Sequence, residues 1–338
     1  MPKSTQKNCH ALSGGCRAIK SEIAVLGCGS IGVAWGIVFA TSGSLVAMYD
    51  PDADRISAAA HEFASKLDDL WRYGLLLESP KLIVGRIRWT DRLPDAVRTA
   101  CHVQECAPEN AALKRTIFSQ ALLHSPLDAV IASSSSAICA SEIARDLLGC
   151  ERCLVVHPGN PPYLIRVVEV VPAGFTAAAT IERCWTTLVS AGMSPILVRK
   201  EVEGFVFNRL QGAVLREAYC LVRDGVADVD EIDRIMTEGL GLRWSVVGPF
   251  ETADLNVRGG IDAHAKRMGP SYARMGAERG QNDPWTDALV ATVAMQRRSR
   301  LPLDRWDDRV MWRDRTLMAL VRLRRAQSAL GPTAKDPS

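Results

Sequence analysis

Residues 21–50 read SEIAVLGCGSIGVAWGIVFATSGSLVAMYD. An apolar run from Ile23 to Leu26 meets a glycine-rich turn, a stretch of small and apolar residues follows, and a second apolar run ends at an acid, Asp50. Those lengths suit two strands joined by a helix, a βαβ unit. Within the turn, Gly27, Gly29 and Gly32 fill the pattern G-x-G-x-x-G. The first glycine permits a tight turn, the second lets the backbone approach a pyrophosphate, and the third lets helix and strand pack closely. A helix that starts at Ser30 and Ile31 offers the phosphates free N–H groups and the positive end of its dipole. Asp50 follows Gly32 by 18 residues, where a carboxylate accepts hydrogen bonds from a ribose and repels a 2′-phosphate. No arginine adjoins Asp50, although Arg55 is near. The expected cofactor is NAD rather than NADP.

Outward from this unit the alternation continues. Residues 52–72 have helical periodicity, CHVQECAPEN gives a short strand ending near Glu105, and a helix runs from about Asn110 to Leu123. LDAVIASSSS reads as a strand and AICASEIARDLL as a helix, and CLVVHP, VVEVV and PILVRK supply three more strands. Alternating strands and helices imply a mostly parallel sheet covered on both faces. Near Gly204 the apolar spacing becomes helical almost to the end, with turns expected at Gly225, Gly239–Gly241, Gly248–Pro249 and Gly259–Gly260. At 338 residues two domains are the default. The expected fold is α/β, a Rossmann-type dinucleotide-binding domain followed by an all-helical domain. Residues 1–20 form an extension, 21–202 the NAD-binding domain and 203–328 the helical domain.

Composition narrows the function classes. A net charge of +3 over this length carries no nucleic-acid or membrane signal. The basic residues between Arg297 and Arg325 alternate with apolar ones, as on the wet face of a helix. No run of 18 apolar residues occurs, and the polar first 20 residues contain no signal-peptide core. Ten irregularly spaced cysteines suit reduced thiols in a cytoplasm. Cys150-x-x-Cys153 enters an apolar strand without a second ligand pair, so packing thiols are expected and no metal.

LVVHPGNPPYLIRVVEVV, residues 154–171, places His157 at the end of one apolar run and Glu169 in the middle of the next. A buried carboxylate is costly unless paired, and the histidine is the partner in reach. Oxidising a carbinol by hydride transfer needs a base for the hydroxyl proton. An imidazole suits that role, and a carboxylate fixes its tautomer and stabilises the imidazolium. Spacing alone leaves open a satisfied core histidine beside an unrelated strand acid.

The motifs GCGSIG, VQECAPEN, IASSSSA, HPGNPPYLIRVVEVVP, GFVFNRLQGAVLREA and EIDRIMTEGLGLRWSVVGPFET, with the late WRDRTLMAL, resemble the 3-hydroxyacyl-CoA dehydrogenase family. Within it they are most similar to the lambda-crystallin branch, whose activity is L-gulonate 3-dehydrogenase. The resemblance covers roughly residues 22–325. It implies that His157 is the general base and Glu169 its orienting partner, and that Ser136 and Asn208 hydrogen-bond the reacting oxygen. It also implies that Asn160 lies near the nicotinamide, that Glu109 and Lys114 contact the cofactor, and that the helical domain forms a homodimer. Gly159 and Arg166 depart from the branch pattern close to the expected substrate.

Three functions compete. One is oxidation of a small free 3-hydroxy acid such as L-gulonate, or a relative such as carnitine; the second acts on a 3-hydroxyacyl-CoA; the third is a non-catalytic, crystallin-like role. The matched set of Ser136, His157, Glu169 and Asn208 argues against the third. Coenzyme A carries phosphates that need basic partners, yet residues 51–80 contain only Lys66, Arg55 and Arg72 as cations. Arg243, inside the glycine-rich apolar stretch EGLGLRWSVVGPF, is expected to clamp a substrate carboxylate. The free acid is therefore favoured.

Overall fold

In the computed structural model, the described residues are 22–245, 248–256, 260–280 and 302–329, with residues 288, 295 and 299. The extension expected over residues 1–20 lies outside them, as does Gly259. The chain divides into two compact units, one up to Glu201 and one from Val202 onward.

The first unit is built on an eight-stranded sheet of order β3-β2-β1-β4-β5-β6-β7-β8. Its strands are β1 (Glu22–Leu26), β2 (Leu45–Tyr49), β3 (Ile87–Thr90), β4 (His102–Glu105), β5 (Val130–Ser133), β6 (Cys153–Pro158), β7 (Val167–Pro172) and β8 (Ser194–Leu197). Every pairing is parallel except β6 with β7. Parallel strands need crossovers, and here these are α1 (Ser30–Thr41), α2 (Ala53–Arg72), α3 (Pro80–Val84), α4 (Leu93–Val97), α5 (Ala111–His124) and α6 (Ala140–Ala144), with α7 (Ala178–Ser190) before β8. The sheet grows one way through β2 and β3, then resumes on the other side of β1 with β4. That reversal is the switch point where open α/β sheets bind ligands beyond the carboxyl ends of their strands.

Helix α1 is apolar around its whole circumference, and Gly32 to Ala40 are all buried, as expected of a helix enclosed on every side. Helix α2 instead buries one stripe, Ala59, Phe63, Leu67 and Leu70, and is capped by Asp52, whose carboxylate accepts from the amides of Asp54 and Arg55. The helix expected over residues 137–148 is only α6, five residues long. Soon after it Asp146 adopts φ +65°, a left-handed conformation that a helix cannot continue through.

In the second unit the described elements are helices, α8 (Phe207–Arg223), α9 (Val229–Arg234), α10 (Gly241–Trp244), α11 (Pro249–Leu255), α12 (Gly260–Arg279) and α13 (Trp306–Ala329) among them. Gly225, at φ +68°, ends α8, and Gly248 and Pro249 open α11. Gly239–Gly241 is not a turn. Ile235–Leu240 form a π-helical segment that runs directly into α10. A Cβ on Gly241 would lie 2.6 Å from the Met236 carbonyl oxygen, so this glycine makes room for the wide turn instead of breaking the helix.

Candidate active site

The turn after β1 has the shape its glycines imply. Gly27 has φ +105°, and a Cβ there would lie 2.8 Å from the Cys106 carbonyl oxygen. A Cβ on Gly32 would lie 1.8 Å from the carbonyl oxygen of Gly27. Gly29, by contrast, has nothing within 4 Å of a built Cβ, so packing within the chain does not require a glycine there. Gly29 is also the N-cap of α1, and no side chain caps that terminus. Asp50 closes β2 and is held from both sides: Oδ2 accepts from the Cys28 amide at 2.8 Å and Oδ1 from the Asp52 amide at 3.1 Å. Open space at Gly29, uncapped helix amides and an oriented carboxylate fit a dinucleotide, with pyrophosphate on the helix terminus and ribose on the acid. Burial pushes the Cys28 thiol up to about 12, so it packs the turn as a neutral group.

The carboxyl ends of β4 and β5 carry a second polar group. Lys114 lies on the buried stripe of α5 with Phe118, Ala121 and Leu122. Its side chain is only 1% exposed. An ammonium in that place requires acids, and Glu105, also buried, accepts from Nζ with both oxygens, at 2.9 and 3.2 Å. Nζ also donates to the Ala107 carbonyl at 3.1 Å and sits 3.3 Å from Glu109 Oε2. Glu105 accepts in addition from Ser133 Oγ at 2.6 Å and from the Ala107 amide at 2.6 Å. Lys114 is thus enclosed by its partners, whereas Glu109 remains 44% exposed. Burial acts to raise the Glu109 carboxyl, but the hydrogen bond from Ser135 and the charge of Lys114 outweigh it and hold the group below the usual carboxylate range.

Next along the sheet edge is the pair that the sequence suggested. Strands β6 and β7 pair antiparallel with His157 directly opposite Glu169. His157 Nδ1 and Glu169 Oε2 are 2.8 Å apart and both side chains are buried. Because the residues stand opposite in register, the chain that separates them need only be a compact turn. Asn160 precedes a cis peptide bond to Pro161 in that turn and is exposed. The departure at Gly159 is steric, since a Cβ would lie 2.5 Å from Ile165 Cγ2. Arg166 carries the carbonyl that accepts from the Ser194 amide where β7 meets β8.

Ser136 is exposed just beyond β5, so the carboxyl-end edge of the first unit carries Gly27, Asp50, Glu109, Ser136 and His157 on neighbouring strands. Asn208 is the second residue of α8 and Arg243 lies exposed in α10, both in the second unit. Sequence reasoning missed Glu105, Ser133 and Ser135. The available signal was Lys114, which helical periodicity puts on the apolar face of α5.

A mostly parallel sheet with a glycine turn at its switch point fits an NAD-dependent oxidoreductase. Residues 22–202 match the family described as "3-hydroxyacyl-CoA dehydrogenase, NAD binding domain" and residues 204–302 match "3-hydroxyacyl-CoA dehydrogenase, C-terminal domain". Lambda-crystallin of Oryctolagus cuniculus is 35% identical over 310 residues, covering 90% of this chain and 96% of that protein. "L-carnitine dehydrogenase/betainyl-CoA thioesterase" of Agrobacterium fabrum is 39% identical over 278 residues, 81% of this chain and 56% of that protein. Among solved structures, an NAD+-dependent 5-formyl-3-hydroxy-2-methylpyridine 4-carboxylic acid 5-dehydrogenase superposes with TM-score 0.78 at 27% identity, covering 90% of this chain and 98% of that one. The chain belongs to the 3-hydroxyacyl-CoA dehydrogenase family, on the branch that includes lambda-crystallin. No helix among the described residues is long and apolar enough to cross a membrane.

Proposed function

We propose that this chain oxidises the 3-hydroxyl of a small free hydroxy acid, L-gulonate-like, to the 3-keto acid. The observation that carries the reading is the buried His157–Glu169 pair, 2.8 Å apart at the edge that holds the glycine turn. Bound NAD would supply the hydride acceptor for C3. With Nδ1 committed to Glu169, Nε2 of His157 takes the hydroxyl proton, and the carboxylate stabilises the imidazolium that forms. Ser136 and Asn208 hydrogen-bond the reacting oxygen, and Asn160 lines the nicotinamide side. Gly27, Gly29, Ser30, Ile31, Gly32 and Asp50 hold the dinucleotide. Glu109 faces the cofactor, and Lys114, enclosed as it is, serves the cofactor through Glu109. Arg243 binds the substrate carboxylate. The protein works in the cytoplasm as a homodimer formed through the helical unit, which leaves Leu210, Leu215 and Ile235 exposed.

L-Carnitine is the second reading, favoured by the 39% identity to an enzyme with that name, and a 3-hydroxyacyl-CoA thioester is the third. NADH formation from L-gulonate, L-carnitine and 3-hydroxybutyryl-CoA, each with wild type, His157→Ala and Arg243→Met, separates them. His157→Ala is expected to lose about 10²- to 10⁴-fold in turnover. Arg243→Met is expected to lose roughly 10- to 150-fold in kcat/KM on the preferred free acid, the worth of a hydrogen bond to a charged group. A thioester preferred by the wild type and untouched by Arg243→Met would overturn the free-acid reading. A loss below about tenfold in His157→Ala would overturn the base.

A further inference from the structure

The turn that bears Ser136 is fastened in an unusual way. A single carboxylate oxygen, Glu109 Oε1, accepts from Ser135 Oγ at 2.5 Å, from the Ser136 amide at 3.1 Å and from the Ala137 amide at 3.2 Å. Ser135 Oγ in turn accepts from the amides of Ile138 at 2.7 Å and Ala137 at 3.3 Å. One step below, Ser133 Oγ accepts from the Ser135 amide at 3.1 Å while donating to Glu105. Both carboxylates converge on the enclosed Nζ of Lys114. Consecutive amides on one oxygen form an anion-binding nest, but here the anion belongs to the protein and comes from the neighbouring connection. The backbone of residues 133–138 is therefore indexed against α5 by one buried cation and two acids.

We infer that Glu109, Ser135 and Lys114 are positioning residues, which fix the Ser136 hydroxyl where it meets the reacting oxygen. The inference rests on the proposed role of Ser136. Charge explains why a carboxylate is used: a neutral amide in place of Glu109 would turn a donor toward either the ammonium or the turn amides. An anion satisfies all of them at once, and charge-assisted hydrogen bonds are the stronger class. The enclosure of Lys114 assigns it to holding the two acids.

A double-mutant cycle tests this. Ser135→Ala, with Glu109→Gln as a second variant at a half-exposed site, is measured in the wild-type and Ser136→Ala backgrounds, using the best of the three substrates named above. Displacing a positioned group by about 1 Å can cost 10²-fold, so kcat is expected to fall roughly 10- to 100-fold in Ser135→Ala with the affinity for NAD unchanged. That loss is expected to vanish when Ser136 is already alanine. Independently of any substrate, deuterium exchange of the amides of residues 135–138 is expected to accelerate at least about tenfold in either variant. Unchanged exchange, or a kcat loss of equal size in both backgrounds, overturns the inference and leaves the proposed reaction standing. Full activity in Ser136→Ala alone instead removes that serine from the reaction, and the inference falls with it.

Discussion

Replacing Glu169 with glutamine keeps the shape of the side chain and removes its charge, and the geometry sets the size of the effect. Nδ1 and Oε2 stand 2.8 Å apart with both groups buried, which puts the centres of the imidazolium and carboxylate charges about 4 Å apart. At an effective dielectric of about 20, opposite charges at that distance attract by about 4 kcal/mol. Before proton transfer the imidazole is neutral and little of this is felt; afterwards all of it is. If half of the proton has moved at the transition state, the lost stabilisation is about 2 kcal/mol, or roughly 30-fold in kcat, and complete transfer brings it to about 10³-fold. Glutamine removes the counter-charge, and its amide can also donate to Nδ1 and favour the tautomer that has no free base at Nε2, so the loss worked from charge alone is a lower bound. The assay is initial-rate NADH formation on the preferred substrate. NADH affinity from fluorescence and the thermal midpoint serve as controls for the fold. A Glu169→Gln enzyme within threefold of wild-type kcat would refute the counter-charge argument, and a loss matched by equal loss of NADH affinity would place the damage in the fold.

Asp50→Ala is expected to lower kcat/KM for NAD by roughly 10- to 150-fold and to shrink the NAD/NADP ratio, because a ribose acceptor and a repulsive charge go together; an unchanged ratio would mean another residue reads the ribose. Gly29→Ala should alter stability by no more than ~0.5 kcal/mol, since no atom lies within 4 Å of the new Cβ. It should nevertheless weaken NADH binding about 5- to 150-fold through a 1–3 kcal/mol clash, and unaltered binding would show that no pyrophosphate approaches there. His102 is fully buried and desolvation lowers it from 6.5 to about 4, so below the unfolded value the unfolded chain takes up a proton that the folded chain refuses. Stability is accordingly intact above about pH 6.5 and falls toward pH 4. Between pH 7 and 5 wild type should lose about 2 kcal/mol more than His102→Gln in urea titrations, and parallel losses would refute the assignment.

What the sequence discloses depends on how far the information must travel along the chain. The cofactor turn is a local pattern, and Gly27, Gly32 and Asp50 occupy the places it dictates. His157 and Glu169 are 12 residues apart, and the connection is short enough that adjacent strands follow. Strand β3 is four residues long and largely unburied, and α3 and α4 have five residues each, too few for an apolar period to emerge. The π-helical segment misled in the other direction, because glycine usually marks a turn and at Gly241 it marks a carbonyl that needed room. Glu105 and Ser133 were invisible because their partner, Lys114, meets them only once β4, β5 and α5 are assembled.

The two buried carboxylate arrangements at this edge differ in how their nitrogen partners are held. Around Lys114, two acids, a backbone carbonyl and a serine hydroxyl close a network in which the ammonium has three acceptor groups and is 1% exposed. These acceptors face the ammonium from the end of β4 and from the turn after it, so the network ties both to α5. His157 pairs with the Glu169 carboxylate at Nδ1. A neutral imidazole donating from Nδ1 and an imidazolium donating from Nδ1 make the same bond to Glu169, so protonation at Nε2 leaves that bond in place and changes only its strength. Under the proposed reaction, a histidine paired in this way takes and returns a proton without breaking its bond to Glu169. The turn bearing Ser136 is tied to Glu109 and through it to Lys114, so under the proposed reaction its anchor is separate from the residue proposed to exchange the proton.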